Sequence, residues 1–280
     1  MVAAQQQLEK KGSKVCSPSN GWLLVTAPKL LCSSSSSSSY SPFPTSMEKL
    51  YLMGLVGMET LAPVPNLTEL SINNCSGLRG GESPPRWMDK LFADHRLHEL
   101  RTDDFAGFFA APICSLLSSS LTMLDLTYNE EVECFTNEQE EALHILTSLQ
   151  ELRFLNCDKF RSLPLGLCHL PSLTNLCIGN CPEIRSLEGL PDSLQKLIIH
   201  SLPAITSLGV LPDSLQKLMV DDLPAITSLG ILPDSLQELD IDDCRVIRSL
   251  DRLPSSLQEL RIGNCPTISP LPNDGIPTTL

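Results

Sequence analysis

The cysteines Cys75, Cys157, Cys181, Cys244 and Cys265 are the residues of this sequence with the most chemistry in them. Gathered thiolates bind zinc, and His95 and His98, beside Asp94, would add two imidazoles to one helical face. Zinc sites draw their ligands as pairs at short spacing, however, and these cysteines are not paired that way. They all close the same repeated phrase, where other copies carry Leu55, Phe105, Asn129, Leu202 or Leu223. A position that takes Leu or Phe as readily as Cys is a packing position, suited to a small buried thiol. The histidine pair lacks further ligands at a defined spacing, so a solvated turn is expected there. The sequence contains no phosphate-binding loop, glycine-rich dinucleotide turn, nucleophile elbow or zinc-protease helix. These residues point away from an enzyme, and no cofactor or metal is expected.

The phrase that sets the cysteines in phase is S-L-x-x-L-x-I-x-x-C/L. It begins at Ser148, Ser172, Ser193, Ser214, Ser235 and Ser256, at intervals of 24, 21, 21, 21 and 21 residues. Looser copies begin at Ser46, Asn66, Arg96 and Ser120, so that ten units cover residues 46–280. The 21-residue copies from Leu190 and Leu211 differ at only five positions. A fixed period in this range marks a stacked repeat protein, and the L-x-x-L-x-L-x-x-N/C frame is that of leucine-rich repeats.

One copy shows the physics. Leu197 and Ile199 alternate with Lys196, Ile198 and His200, the period of a strand with one buried face. Leu194 and Leu202 bracket the strand, and Pro203 ends it because proline has no N–H for a ladder. Ile205, Leu208 and Leu211 then return to the core across a stretch too short and too proline-rich for a full helix. The predicted fold is an α/β repeat solenoid, a leucine-rich repeat horseshoe. Its concave sheet is parallel, and its convex side is mostly coil or 3₁₀ with few short helices. Strands stacked at ~4.8 Å would carry the array over roughly 45 Å. A convex helix is expected over 137–146, where Thr136 and Gln139 fit a capping box, and another turn or two over Pro85–Phe92. Residues 1–45, with the serine run Ser33–Ser39, read as a flexible or non-repeat segment preceding the repeat domain 46–280.

The net charge of −13 argues against nucleic acid or an anionic membrane as the main partner. No run approaches the ~20 apolar residues of a membrane helix, and the polar N-terminus lacks a secretory pattern. A cytoplasmic location with reduced thiols is expected.

What remains is binding. The outward strand positions nominate a concave face of Arg153, Leu155, Cys177, Lys196, Ile198, His200, Lys217, Met219, Asp221, Glu238, Asp240, Asp242 and Arg261. Within it, Leu155, Cys177, Ile198 and Met219 read as an apolar stripe across four strands. Asp221, Asp222, Glu238, Asp240, Asp242 and Asp243 read as an acidic patch beside it. An apolar stripe rimmed by charge is how a protein-binding surface looks. The plainer reading is that strand faces tolerate scattered apolar residues and solenoids carry charge for solubility.

The strings LTSLQELRFLNCDKFRSLPLGLCHLPSLTNLCIGNCPEIRSL and LPSSLQELRIGNCPTISPLP resemble the leucine-rich repeat region of plant intracellular nucleotide-binding leucine-rich repeat disease-resistance proteins. The resemblance covers about residues 46–280. It implies a non-catalytic role: contact with a pathogen effector, a guarded host protein or the receptor's own switch module. The chain carries neither a nucleotide-binding module nor a coiled coil, so the family's ATP-dependent switch is not implied. The alternatives are a substrate-receptor or scaffold protein, such as a ubiquitin-ligase adaptor, or a non-functional truncated receptor fragment.

Overall fold

A computed structural model describes residues 14–16, 21–25, 43–55, 61, 64–75, 96–109, 113–248, 250 and 252–268. The turn expected over Pro85–Phe92 and the residues Asp94 and His95 lie outside them. The chain divides into two compact units, Met1–Thr127 and Tyr128–Leu280.

In the first unit, β3 (Lys49–Met53), β4 (Glu69–Asn73), β5 (Glu99–Thr102) and β6 (Met123–Thr127) come from the four looser copies of the phrase and pair in parallel. Two earlier strands, β1 (Lys14–Cys16) and β2 (Gly21–Val25), also join this sheet. β1 is antiparallel to β2, and β2 is parallel to β3 with Gly21 opposite Lys49. The phrase does not reach these two strands. Helices α1 (Phe105–Phe109) and α2 (Ile113–Leu117) follow β5.

The second unit holds β7 (Glu151–Leu155), β8 (Asn175–Gly179), β9 (Lys196–His200), β10 (Lys217–Asp221), β11 (Glu238–Asp242) and β12 (Glu259–Ile262). These are parallel and in register, with Leu152, Leu176, Leu197, Leu218, Leu239 and Leu260 facing in succession. Helix α3 (Asn137–His144) precedes β7, and a 3₁₀ turn, Leu165–His169, lies between β7 and β8. Each unit is a leucine-rich repeat solenoid, with a parallel sheet on one side and coil or short helices on the other.

The inward residues Leu152, Phe154, Leu176, Ile178, Leu197, Ile199, Leu218, Val220, Leu239 and Ile241 are fully buried. Each contributes roughly 1.5–3 kcal/mol of apolar burial. Ile205, Leu208 and Leu211 return to the same core as the period requires.

The prolines mark hydrogen-bonded turns. Leu194, Leu215, Leu236 and Leu257 each donate an N–H to the carbonyl of the proline three residues earlier, at 3.1 Å. After each strand, Ile184, Ile205 and Ile226 close a second turn on Cys181, Leu202 and Leu223, with Pro182, Pro203 and Pro224 at the favoured second position. The repeated serine ties the units together. Ser214, Ser235 and Ser256 donate their hydroxyls to Leu194, Leu215 and Leu236 of the preceding unit at 2.6–2.7 Å.

The residue before the closing Cys or Leu turns left-handed in nine of the ten copies: Gly54, Asn74, Tyr128, Asn156, Asn180, Ser201, Asp222, Asp243 and Asn264, with φ between 46° and 66°. Asn, Asp and Gly tolerate this region best, which explains the recurring Asn-Cys and Asp-Asp pairs. The turned N–H continues the ladder: Asn156 donates to Gly179 O at 3.0 Å and Asp222 to Asp242 O at 3.1 Å. Asp104 departs from the pattern because it caps α1, its carboxylate accepting the Gly107 N–H at 2.9 Å.

Helix α3 carries the expected capping box: Gln139 N donates to Thr136 Oγ1 at 3.3 Å and Thr136 N to Gln139 Oε1 at 2.9 Å. It ends at His144, two residues before the expected boundary. The Ile145 N–H reaches the Ala142 and Leu143 carbonyls, tightening the last turn.

Cys75, Cys157, Cys181 and Cys244 are buried at the closing position and Cys265 is half-buried. Burial pushes the Cys244 thiol up to about 11. The hydrogen bond with Cys181, then burial, raises that of Cys157. The same hydrogen bond lowers the Cys181 thiol, so the pair shares one proton-donating contact inside the core.

Candidate partner-binding face

All thirteen nominated residues lie in the second unit, on the side of the strands away from the core. The register arranges them in three rows that cross β7 to β12. Adjacent members are ~4.8 Å apart and adjacent rows roughly 7 Å apart.

The first row, at the strand starts, contains Glu151, Asn175, Lys196, Lys217, Glu238 and Glu259. Lys217 pairs with Glu238, and this contact holds the Glu238 carboxyl below its ordinary range. Among the described residues, Lys196 makes no ion pair.

The middle row runs Arg153, Cys177, Ile198, Met219, Asp240 and Arg261. Cys177, Ile198 and Met219 are half-buried neighbours on consecutive strands, a short apolar row open to solvent. Arg153 bonds Glu151 at one end, and Arg261 reaches Glu259 at 2.5 Å and Asp240 at 3.7 Å at the other.

The third row runs Leu155, Gly179, His200, Asp221 and Asp242. Leu155 therefore stands opposite Gly179, one row away from Cys177. The apolar stripe is straight over three strands rather than four, because Leu155 is two residues further along its strand. Gly179 makes room for a neighbour: a Cβ there would lie 1.9 Å from His200 Nε2, so the imidazole leans over the glycine. Asp242 leans over Gly263 in the same way, with its Oδ1 2.5 Å from where a Cβ would be.

The acidic patch is smaller than the sequence suggested, because three of its six members have cationic partners. Glu238 pairs with Lys217, Asp240 with Arg261, and Asp243 with Arg245 at 2.9 Å. No ion pair forms to Asp221, Asp222 or Asp242 among the described residues. Asp222 accepts the Ser201 hydroxyl at 3.0 Å, and Asp242 accepts Asn264 Nδ2 at 2.9 Å. Partial burial, then Asp242 and Asp222, raises the Asp221 carboxyl above its ordinary range; His200 acts against them.

The first unit holds a different polar face that the sequence reading passed over. Glu69, Ser71, Asn73, Asp125 and Thr127 occupy outward strand positions yet are buried. Glu69 accepts Lys49 Nζ at 2.6 Å and Tyr51 Oη at 2.5 Å. Arg101 Nε meets Asp125 at 2.6 Å. Thr127 Oγ1 donates to Asn73 Oδ1 at 3.1 Å, and Asn73 Nδ2 donates to Ser71 Oγ at 3.0 Å. Opposite charges at facing positions, Lys49 with Glu69 and Arg101 with Asp125, were the signal in the sequence.

His98 sits just before β5 with Nδ1 2.9 Å from Ser120 O, as a turn residue would. No cluster of three or more metal-ligating side chains is formed among the described residues. No described helix is long and apolar enough to cross a membrane.

No family model and no curated protein matches this chain. The solved structures similar to it include the leucine-rich repeat domain of the type III effector XopL, at 18% identity and a TM-score of 0.42, covering 75% of this chain and 72% of that one. A second is the Drosophila Toll–Spatzle complex, at 13% identity and a TM-score of 0.39, covering 94% of this chain and 49% of that one. A third is the plant peptide hormone receptor RGFR1 in complex with RGF2, at 18% identity and a TM-score of 0.24, covering 79% and 51%. The chain spans about half the length of the last two.

Proposed function

We propose that this chain is a non-catalytic protein-binding module that takes its partner on the outward face of β7–β12, in the cytoplasm of a plant cell, as part of innate immune recognition. The observation that carries the binding reading is the row Cys177–Ile198–Met219. Three apolar side chains stand open on adjacent strands, bordered on one side by Lys196 and on the other by Asp221 and Asp242, which form no ion pair among the described residues. Such a face gains by being covered: the row supplies apolar contact, and the charges fix the orientation of whatever covers it. The immune assignment rests on the repeat phrase itself, whose SLQEL and Asn-Cys-Pro strings resemble those of plant disease-resistance receptors. A pathogen effector, a guarded host protein or a nucleotide-binding switch module is the partner this implies.

The test replaces Met219 by Asp. Because Met219 points away from the core, Met219→Asp is expected to leave the thermal unfolding midpoint within about 2 °C, a surface-sized effect. The proteins specifically captured by the unaltered chain from plant leaf extract, quantified by mass spectrometry, are expected to fall at least tenfold, the scale of losing an interface anchor. Equal capture by both chains would overturn the assignment of this face. Unchanged capture by a chain with Arg101→Ala is the matching control from the first unit.

A further inference from the structure

Two of the described cysteines, Cys134 and Cys168, are exposed, and they have opposite surroundings. Cys168 lies in the 3₁₀ turn, with Sγ 3.1 Å from His169 Nδ1 and 3.1 Å from the Leu165 carbonyl oxygen. Its partner imidazole is itself held in place. The His169 ring packs against the His144 ring at 4.9 Å between centroids. His144 ends α3, and Glu140 of the same helix accepts the Leu165 and Gly166 N–H groups at 3.0 and 2.7 Å. Gly166 is what lets the two elements meet: a Cβ there would lie 2.7 Å from the His144 ring and 2.9 Å from Glu140. Helix α3 and the turn therefore build a thiol–imidazole pair on the surface. Cys134, by contrast, follows Glu130, Glu131 and Glu133, and no imidazole is bonded to it among the described residues.

We infer that Cys168 is a modification site for low-molecular-weight disulfides such as glutathione disulfide, with His169 as its proton acceptor. The Cys168 thiol passes its proton to His169 Nδ1, and the thiolate attacks one sulfur of the disulfide. A new S–S bond forms as the old one breaks, and the departing thiolate takes the proton back from His169. One thiol and one disulfide give one mixed disulfide and one thiol, so no further oxidant is required. A thiolate is the attacking species in such exchange, and a neighbouring proton acceptor that can become a cation favours it. Glu130 and Glu131, close to Cys134 in sequence, oppose the approach of an anionic disulfide, while Glu133 pairs with Arg161. Cys75, Cys157, Cys181 and Cys244 at the closing position are kept from exchange by burial. The site is independent of the partner-binding face, since it lies in the connection between β7 and β8.

The experiment exposes the full reduced chain to glutathione disulfide at pH 7.5, quenches in acid and follows each cysteine by peptide mapping. Cys168 is expected to acquire glutathione at least fivefold faster than Cys134, and His169→Asn to slow Cys168 about tenfold while leaving Cys134 unchanged, the scale of a positioned proton acceptor. Equal rates at the two cysteines, or an unslowed Cys168 in a folded His169→Asn chain, would overturn the inference. A second measurement decides the case in which that variant loosens the turn. Cystamine, a cationic disulfide, should narrow the gap between the two cysteines by removing the charge repulsion at Cys134, and an unchanged gap would likewise contradict the account.

Discussion

The two units share one backbone frame and differ in what they place on its outward face. In the first, Glu69, Ser71, Asn73, Asp125 and Thr127 are buried, and their polar groups bond to neighbouring strands. In the second, most of the same positions are half-exposed or exposed, Leu155, Cys177, Ile198 and Met219 among them are apolar, and Lys196, Asp221 and Asp242 form no ion pair among the described residues. The inward positions are nearly interchangeable between units, being Leu, Ile, Val or Phe except at Thr102. A polar face whose members largely bond one another has less to gain from a partner than an apolar row bordered by charge. This contrast is what favours the second unit in the proposal that its outward face takes the partner.

The largest expected effect comes from the side the units share. Leu218→Ala removes a fully buried residue of β10 and is expected to cost about 2–5 kcal/mol. Met219→Ala, one residue on, should stay within about 1 kcal/mol because its side chain is half-exposed. Urea denaturation of the two variants measures the difference. A cost for Met219→Ala equal to that of Leu218→Ala would mean that the outward face of β10 is packed, which would erase the contrast between units.

A smaller effect separates the faces themselves. Asp125→Asn leaves Arg101 facing a neutral amide at a site where the carboxylate is 3% exposed, and should cost about 1–3 kcal/mol. Asp242→Asn removes one of several mutually repelling carboxylates and should cost nothing or stabilise slightly. If both substitutions prove neutral, the first unit's network contributes no stability, and its face is as available as the second.

The pH dependence should differ in sign. Burial acts to raise the Glu69 carboxyl, but hydrogen bonds from Lys49 and Tyr51 and the Lys49 charge outweigh it, so the net shift is downward from 4.5. Its stabilising effect is present above the unfolded value and is lost as the pH falls through the lowered folded one. Asp221 is raised from 3.8, first by burial and then by Asp242 and Asp222, so its effect is greatest below 3.8 and is lost as the pH rises through the folded value. Glu69→Gln should therefore lose stability near pH 7, by an amount that shrinks on acidification below 4.5. Asp221→Asn should gain stability near pH 7, and that gain should vanish below 3.8. Thermal unfolding across pH 3 to 7 reads both slopes, and slopes of the same sign would contradict the electrostatic side of the comparison.

The repeat frame was legible in the sequence because each inward position is written many times over. Leu197 could be read from Leu218 and Leu239, and Cys181 from Leu202 and Leu223. The outward positions are written once each, so their identity could be read but not their partners. The stripe was drawn through Leu155 because an outward position says nothing of the row it occupies until strand register fixes it opposite Gly179. The patch was drawn too large because it was read from its acids alone, while Lys217 and Arg261 stand opposite Glu238 and Asp240 on adjacent strands and Arg245 reaches Asp243. The strands β1 and β2 carry no copy of the phrase, so a reading built on its period could not find them.

The finest test of the contrast is a single methyl group. Gly179→Ala puts a Cβ where the His200 ring now lies, and one of them must move. The imidazole is half-exposed at the end of a rotatable side chain, so it should swing toward solvent at a cost below about 1 kcal/mol. That movement takes His200 away from the third row and exposes the strand surface beside Asp221, changing the shape of the face without touching its apolar row. The His200 ring resonances should shift in NMR spectra while those of Phe154 and Phe160 stay fixed, and partner binding should weaken by a few-fold. If Gly179→Ala unfolds the unit instead, the imidazole is locked in place, and this face is as fully packed as that of the first unit.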